Sequence, residues 1–192
     1  MARKRVIDQS AILDAAEKVV ALHGASNLTL DAVAEIAGVS KASVLYDYKN
    51  KRELIHTVVN RALTNDNDMN DNAIARFAEQ DSPVIRGRIA AASTPFPEEF
   101  RSVALSLCAA LAQDTEMRRP IQTSQTSTIN NIAETSASPR GALLAYLALE
   151  GLKLLETLDY HTWPAQERAQ IIREISWLVD CVPGEKDPQP AV

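Results

Sequence analysis

Two short apolar-patterned segments, LDAVAEIA and KASVLYDY, are separated only by Gly38-Val39-Ser40. That spacing constrains the fold more than any other feature of the chain. Thr29 stands before the first segment and Ser40 before the second, both as helix N-caps, and Gly38 is placed to close the first helix. Two short helices joined by so small a turn must cross closely. Ala34 is small where they cross, and Val33, Ala37, Val39 and Val44 provide the apolar contacts that hold the pair. The pattern is a helix-turn-helix.

The flanking sequence extends the same reading. A helix from about Asp8 to His23 places Ile12, Ala16, Val19 and Val20 on one face and ends at Gly24. Asn50-Lys51-Arg52-Glu53 has capping-box spacing, with Asn in place of Ser or Thr, and opens a fourth helix through LIHTVVNRAL. Its polar continuation TNDNDMNDN reads as loop or frayed helix. Further helices are expected at roughly 71–80, 83–92, 97–113, 115–135, 140–158 and 164–181. Pro83, Pro97, Pro139 and Pro164 stand where those helices begin, the position proline tolerates. Pro120 lies inside a helix and is expected to kink or split it. No strand alternation is bounded by turn residues, and abundant Ala and Leu with few aromatics favour helix. The fold class is all-α.

The net charge of −5 argues at first against a nucleic-acid partner, but the charge is unevenly distributed. Residues 1–61 hold nine Lys and Arg against seven Asp and Glu; the remainder hold eleven against eighteen. A basic front is sufficient, because screening limits charge effects to about 10 Å. In a helix-turn-helix the second helix presents its N-terminal residues to base edges in the major groove, here Lys41, Ala42 and Ser43. Tyr46, one turn on, can reach a phosphate. Lys51 adds its charge to the N-terminus of the fourth helix, a phosphate site. Arg3, Lys4 and Arg5 form a basic arm for the DNA backbone or minor groove.

The stretch AILDAAEKVVALHGASNLTLDAVAEIAGVSKASVLYDYKNKREL resembles the DNA-binding domain of the tetracycline-repressor (TetR) family. In that family the segment after the turn commonly reads Val-Ser-Lys-Gly-Thr-Leu-Tyr-Tyr-His-Phe, followed by a helix-starting lysine. Val39, Ser40, Lys41, Tyr46 and Lys51 keep the pattern, with Ser43 for the threonine and Tyr48 for the phenylalanine. Leu45, Asp47 and Ala42 depart from it, replacing a tyrosine and a histidine that face phosphate and a glycine at a close backbone approach. The resemblance adds Ser40 and Thr29 to the DNA-contact set and shifts weight onto Tyr46, Lys51, Thr29 and the basic arm.

The same resemblance implies a three-helix DNA-binding domain over 1–50 and a larger helical effector-binding and dimerisation domain over 51–182. Residues 183–192, PGEKDPQPAV, have little to bury and read as a disordered tail. It further implies that the last two long helices pair with a second subunit, and the sequence supports this independently. RGALLAYLALEGLKLLETL carries leucines on more than one face, so it must be buried on more than one side. Leu144, Leu147 and Leu155, with Ile171, Ile175 and Leu178 of the following helix, are the expected dimer contacts. A two-fold dimer would set two reading helices about 34–36 Å apart or somewhat more. An effector pocket, also implied by the family, is expected among the central helices. Phe100, Ser102, Leu105 and Cys108 form one candidate lining; Gln122, Thr126 and Asn130 form another. The acidic balance favours a neutral or cationic effector over an anionic one.

Other chemistry finds little support. There is no phosphate-cradling glycine loop and no His or Cys cluster with metal spacing; His23, His56 and His161 are dispersed. Neither an enzyme nor a cofactor is expected. Cys108 and Cys181 read as buried free thiols in a reducing cytoplasm, which is the expected compartment. A regulator switched through the Cys108 thiol is one alternative. A helical dimeric adaptor with weak DNA binding, motivated by Leu45 and Asp47, is the other. The central expectation is a dimeric regulator, a repressor by preference, that binds a palindromic operator and is released by a small-molecule effector.

Overall fold

The computed structural model describes residues 9–24, 27–95, 101, 103–105, 108, 111–112 and 114–183. Its regular structure is helical: α1 (Gln9–His23), α2 (Leu30–Ala37), α3 (Lys41–Asp47), α4 (Lys51–Ile74), a 3-10 turn (Ala75–Phe77), α5 (Pro83–Ala91), α6 (Thr115–Thr135), α7 (Pro139–Thr157) and α8 (Ala165–Leu178). The described residues between 101 and 112 are helical apart from these. The chain divides into two compact units. One takes its described residues from 9–66, 101–122 and 157–159, the other from 67–95, 123–156 and 160–183.

In the first unit the local signals act as their chemistry dictates. Gly24, at φ +79°, ends α1, and its N–H returns to the Val20 carbonyl at 2.9 Å. The Thr29 hydroxyl accepts the Ala32 N–H and so starts α2. Gly38, at φ +65°, closes it in a Schellman turn: Val39 N–H reaches Ala34 O and Gly38 N–H reaches Glu35 O. Asn50 Oδ1 accepts the Glu53 N–H and Glu53 Oε2 accepts the Lys49 N–H, both at 2.9 Å. The expected cap of α4 is therefore reciprocal, reaching one residue further back than the usual box. The core under these turns comprises Ile12, Val19, Val20, Leu28, Val33, Val44, Leu54 and Val58, all fully buried, and includes Met117 of α6.

The second unit is built around Ile85, Ile89, Ile132, Ala142, Ala145, Tyr146, Leu149, Leu152, Ile175 and Val179, from α5 to α8 and the residue following α8. Close approaches rely on small residues. A Cβ at Gly141 would meet the Cys181 carbonyl at 2.2 Å, and one at Gly87 would lie 2.4 Å from the Ile74 Cα. Arg168, only 7% exposed, clamps this unit: its guanidinium binds both Glu156 carboxylate oxygens and the carbonyls of Ala92 and Ser93.

Three local expectations are revised. The polar run TNDNDMNDN is helix, not loop, because α4 continues to Ile74. Tertiary contact overrides poor propensity there: Asn70 and Ala73 are buried, and Ile74 lies beneath Gly87. Pro120 does not split α6. It sits in the second turn, where its missing N–H leaves just the Glu116 carbonyl without a helical donor. Cys108 is exposed and Cys181 half-buried, both as free thiols, in place of two buried ones. Gly87→Ala should lower the urea midpoint by an amount equivalent to about 1–3 kcal/mol, since the added methyl meets backbone that cannot yield. A midpoint equal to wild type would remove Gly87 from its packing role.

Candidate nucleic-acid interface

The two-faced character of α3 follows from its burial. Val44 is fully buried and Tyr48, one turn later, is 6% exposed; these two side chains anchor the helix in the core. Lys41, Ala42, Leu45 and Tyr46 consequently share the outer face, with Tyr46 87% exposed. Ser43 and Asp47 are half-buried on its flanks. Burial raises the Tyr48 hydroxyl pKa above its ordinary value, with the neighbouring Asp47 charge adding to the rise. The phenol is held neutral.

Several of the expected contact residues already have partners within the unit. Lys41 Nζ is 2.8 Å from Asp31 Oδ2. Ser40 Oγ accepts the Ser43 N–H at 3.1 Å and lies 2.7 Å from the Ser43 hydroxyl. Thr29 is exposed, but its hydroxyl caps α2. Lys51 is the first residue of α4 and is half-buried. Asp47 Oδ1 accepts from Gln9 Nε2 at 3.2 Å, which ties the departing carboxylate to the start of α1. Arg3, Lys4 and Arg5 lie outside the described residues.

Two arginines outside the expected contact set join α4 to neighbouring elements of the unit. Arg61 of α4 binds Glu17 through Nε and Nη2 and Asp14 through Nη1, at 2.7–2.8 Å, fixing α4 against α1. Burial pulls the Arg61 pKa down, but its hydrogen bonds to Glu17 and Asp14 outweigh this and the net shift is upward. Arg52 makes a two-pronged bridge to Asp114, Nε to Oδ2 at 2.7 Å and Nη2 to Oδ1 at 3.1 Å. Asp114 also accepts the Glu116 and Met117 N–H groups and so caps α6. Hydrogen bonding by Arg52 is the largest reason that its carboxyl is held at about 2, against an ordinary 3.8. A cleft of about 380 Å³ beside this bridge is lined by Asn50, Arg52, Glu53, His56, Glu116 and Met117. The sequence signal for the Arg61 network is legible in retrospect: Asp14 and Glu17 lie three apart on the polar side of α1. The Arg52–Asp114 pair, 62 residues apart, leaves no such trace.

The expected effector and dimer residues are dispersed. Phe100 and Ser102 lie outside the described residues, while Leu105 and Cys108 are exposed. Gln122, Thr126 and Asn130 are exposed on α6, whereas Met117, Thr128 and Ile132 are its buried positions. On α7 and α8, Leu147 and Leu155 are exposed and Leu144, Ile171 and Leu178 half-buried. Ile175 is 4% exposed in the chain's own second core, with Ile171 and Leu178 packed against it. That side of α8 is used within the chain. Among the described residues no three His, Cys, Asp or Glu side chains are placed to hold a metal ion. No helix among them is long and apolar enough to cross a membrane.

A helix-turn-helix with one buried and one outward face, on an all-helical chain, defines the class: a DNA-binding regulator. Residues 12–58 match the family model for "Bacterial regulatory proteins, tetR family", and residues 83–180 match that for the "Tetracyclin repressor-like, C-terminal domain". The chain belongs to the TetR family, whose members are transcriptional regulators and not enzymes, bind DNA and small-molecule ligands, and typically dimerise. Solved structures share the fold at low identity. A TetR-family regulator from Rhodococcus sp. is 20% identical over 90% of this chain and 97% of its own, with TM-score 0.62. A transcriptional regulator from Saccharomonospora viridis in complex with choline is 16% identical over 86% and 93%, with TM-score 0.66. The multidrug binding protein EbrR complexed with ethidium is 17% identical over 90% and 99%, with TM-score 0.63. No curated protein matches the chain.

The Asp114 shift sets a pH dependence. Its folded-state pKa is depressed, so the stabilisation is complete above the ordinary carboxylate value and is lost as pH falls from 3.8 toward 2. Asp114→Asn should flatten the acid limb of urea-midpoint-against-pH measurements in that window. An unchanged acid limb would show that the bridge contributes nothing there. Asp31→Asn would free Lys41 of α3 from its partner. Affinity for any duplex should rise, with a steeper dependence on salt.

Proposed function

We propose that the protein is a dimeric one-component transcriptional regulator, a repressor by preference, acting in the cytoplasm on a palindromic operator. A small-molecule effector bound in the second unit would release it. The observation that carries this reading is the outward face of α3, with Lys41, Ala42 and Tyr46 exposed above a core that holds the helix rigidly. Ser43 sits at its edge for base reading. Lys51, Thr29, Ser40 and the Arg3, Lys4 and Arg5 arm would serve the phosphates.

Dimerisation is supported by α7. Ala142, Ala145, Tyr146, Leu149 and Leu152 occupy the buried face. On the opposite side Leu147 is 57% and Leu154 54% exposed, joined by Leu155 and half-buried Leu144. Gly151 lies in the middle of this stripe, with nothing within 4 Å of where a Cβ would stand. An apolar stripe with a glycine at its centre suits close packing of a second copy of the helix. On α8 the large exposed apolar side chain is Trp177, which we place at this interface in preference to Ile175.

Effector release is supported by the relatives solved with choline and ethidium, and by the way helices serve the two units. Both α4 and α6 contribute residues to each unit. Effector and operator would then oppose each other through one equilibrium, each weakening the other by the same factor. The thiol-switch alternative is disfavoured: desolvation raises the Cys108 pKa, and among the described residues no cation acts to lower it.

Fluorescence anisotropy on the DNA upstream of the protein's own gene, against a scrambled duplex at several salt concentrations, tests the reading. Sequence-selective binding with a steep salt slope is expected. Lys51→Ala should weaken binding to every duplex and reduce the salt slope by about 1, whereas Ser43→Ala should alter preference between sequences. Equal weak binding to both duplexes, repeated in a genome-wide selection, would favour the adaptor alternative. Leu147→Glu should convert the dimer to monomer in analytical ultracentrifugation; a persistent dimer would move the interface elsewhere.

A further inference from the structure

Inside the second unit, side chains of α5, α6 and α7 form a polar cluster that runs from the apolar core to the surface, where Gln125 is exposed. Arg88 of α5 is 8% exposed, Thr128 of α6 is 8% exposed and Tyr146 of α7 is 2% exposed. Arg88 Nη2 donates to Thr128 Oγ1 at 3.0 Å, and its guanidinium carbon lies 5.9 Å from the centre of the Tyr146 ring. The Tyr146 hydroxyl in turn donates to Gln125 Oε1. The Arg88 Nε–H is buried with no acceptor. Among the described residues no carboxylate pairs with this guanidinium.

The same unit shows what a satisfied buried arginine looks like. Arg168, buried to the same degree, has both oxygens of Glu156 and two backbone carbonyls. Arg88 has one neutral hydroxyl and one aromatic face. Taking an ion out of water costs far more than those two contacts return, so an unneutralised guanidinium in a core calls for an anion from outside the chain. The overall acidic balance of the chain points toward neutral or cationic effectors, but the local charge at this site has the opposite sign.

We propose that Arg88 anchors an anion site and that the ligand is an organic acid. This rests on the reading that a small molecule bound in the second unit regulates the protein. Its carboxylate takes the Arg88 Nε–H, with Thr128 and the Tyr146–Gln125 pair beside it, and its apolar body lies against the core to which Ile89, Ile132 and Leu149 belong. A carboxylate fits better than a phosphate, because one planar guanidinium matches a planar monoanion and among the described residues no second cation stands in the cluster to balance a dianion.

The test uses the full chain in thermal-shift and calorimetric titrations. The probes are benzoate and hexanoate, their uncharged amides, and inorganic phosphate. The acids should raise the melting temperature and the amides should not. Arg88→Met should weaken acid binding at least tenfold without lowering the ligand-free melting temperature, since it removes a charge that no described residue neutralises. Arg88→Lys, which keeps the charge but loses the fork, should fall between. Stabilisation by neither acid, an equal response in Arg88→Met, or a response to phosphate alone would overturn the proposal. So would a marked loss of ligand-free stability in Arg88→Met, which would make the residue a structural staple. Operator anisotropy with the same ligands separates the two readings. Acids that bind through Arg88 but leave operator affinity unchanged would defeat effector release and keep the site. Release by a neutral or cationic compound, indifferent to Arg88, would do the reverse.

Discussion

Helices α2 and α3 span eight and seven residues, lengths at which an isolated helix does not persist in water. Their existence depends on one shared apolar core, in which Val33, Val44 and Tyr48 meet Ile12, Val19 and Val20 of α1 and Leu54 and Val58 of α4. The outward face of α3 is a consequence of that burial. Because Val44 and Tyr48 are committed to the core, helical geometry leaves Lys41, Ala42 and Tyr46 no other side to occupy. The Schellman turn at Gly38 and the caps at Thr29 and Ser40 then fix the ends between which this geometry applies.

Charge completes what the core begins. Arg61 joins α4 to α1 through Asp14 and Glu17, and Arg52 joins the start of α4 to the cap of α6. The second of these bridges ties Arg52, in the first turn of α4, to the start of α6, whose Met117 belongs to the same core. A bidentate guanidinium–carboxylate pair has two arrangements, made or broken, with little between them.

The second unit handles polar groups in two different ways. Arg168 is neutralised by Glu156 and backbone carbonyls and acts as a clamp across α5, α7 and α8. Arg88 is left short of acceptors within the same core. The two arginines are equally buried and differ in how far the described residues satisfy them. The α7 helix shows the apolar counterpart, with one face consumed by the core and the other presenting Leu147, Leu154 and the open Gly151.

The sequence by itself determined the local elements. Caps, turn glycines and apolar spacing act over a few residues, so Thr29, Gly38, Ser40 and the Asn50–Glu53 pair could be read directly, and the motif built on them identified the family. Tertiary structure alone decided the rest. TNDNDMNDN has no helical merit of its own and is held by the burial of Asn70 and Ala73. On α6 the residues turned inward are Thr128 and Ile132, whereas Gln122, Thr126 and Asn130 are exposed. A polar helix carries no periodic signal to set its phase, so packing sets it. Ile175 belongs to its own chain's core, and aliphatic spacing alone does not declare which surface a helix face packs against. The Arg88 cluster draws single residues from three helices, and its meaning lies in what surrounds a guanidinium, which no linear pattern encodes.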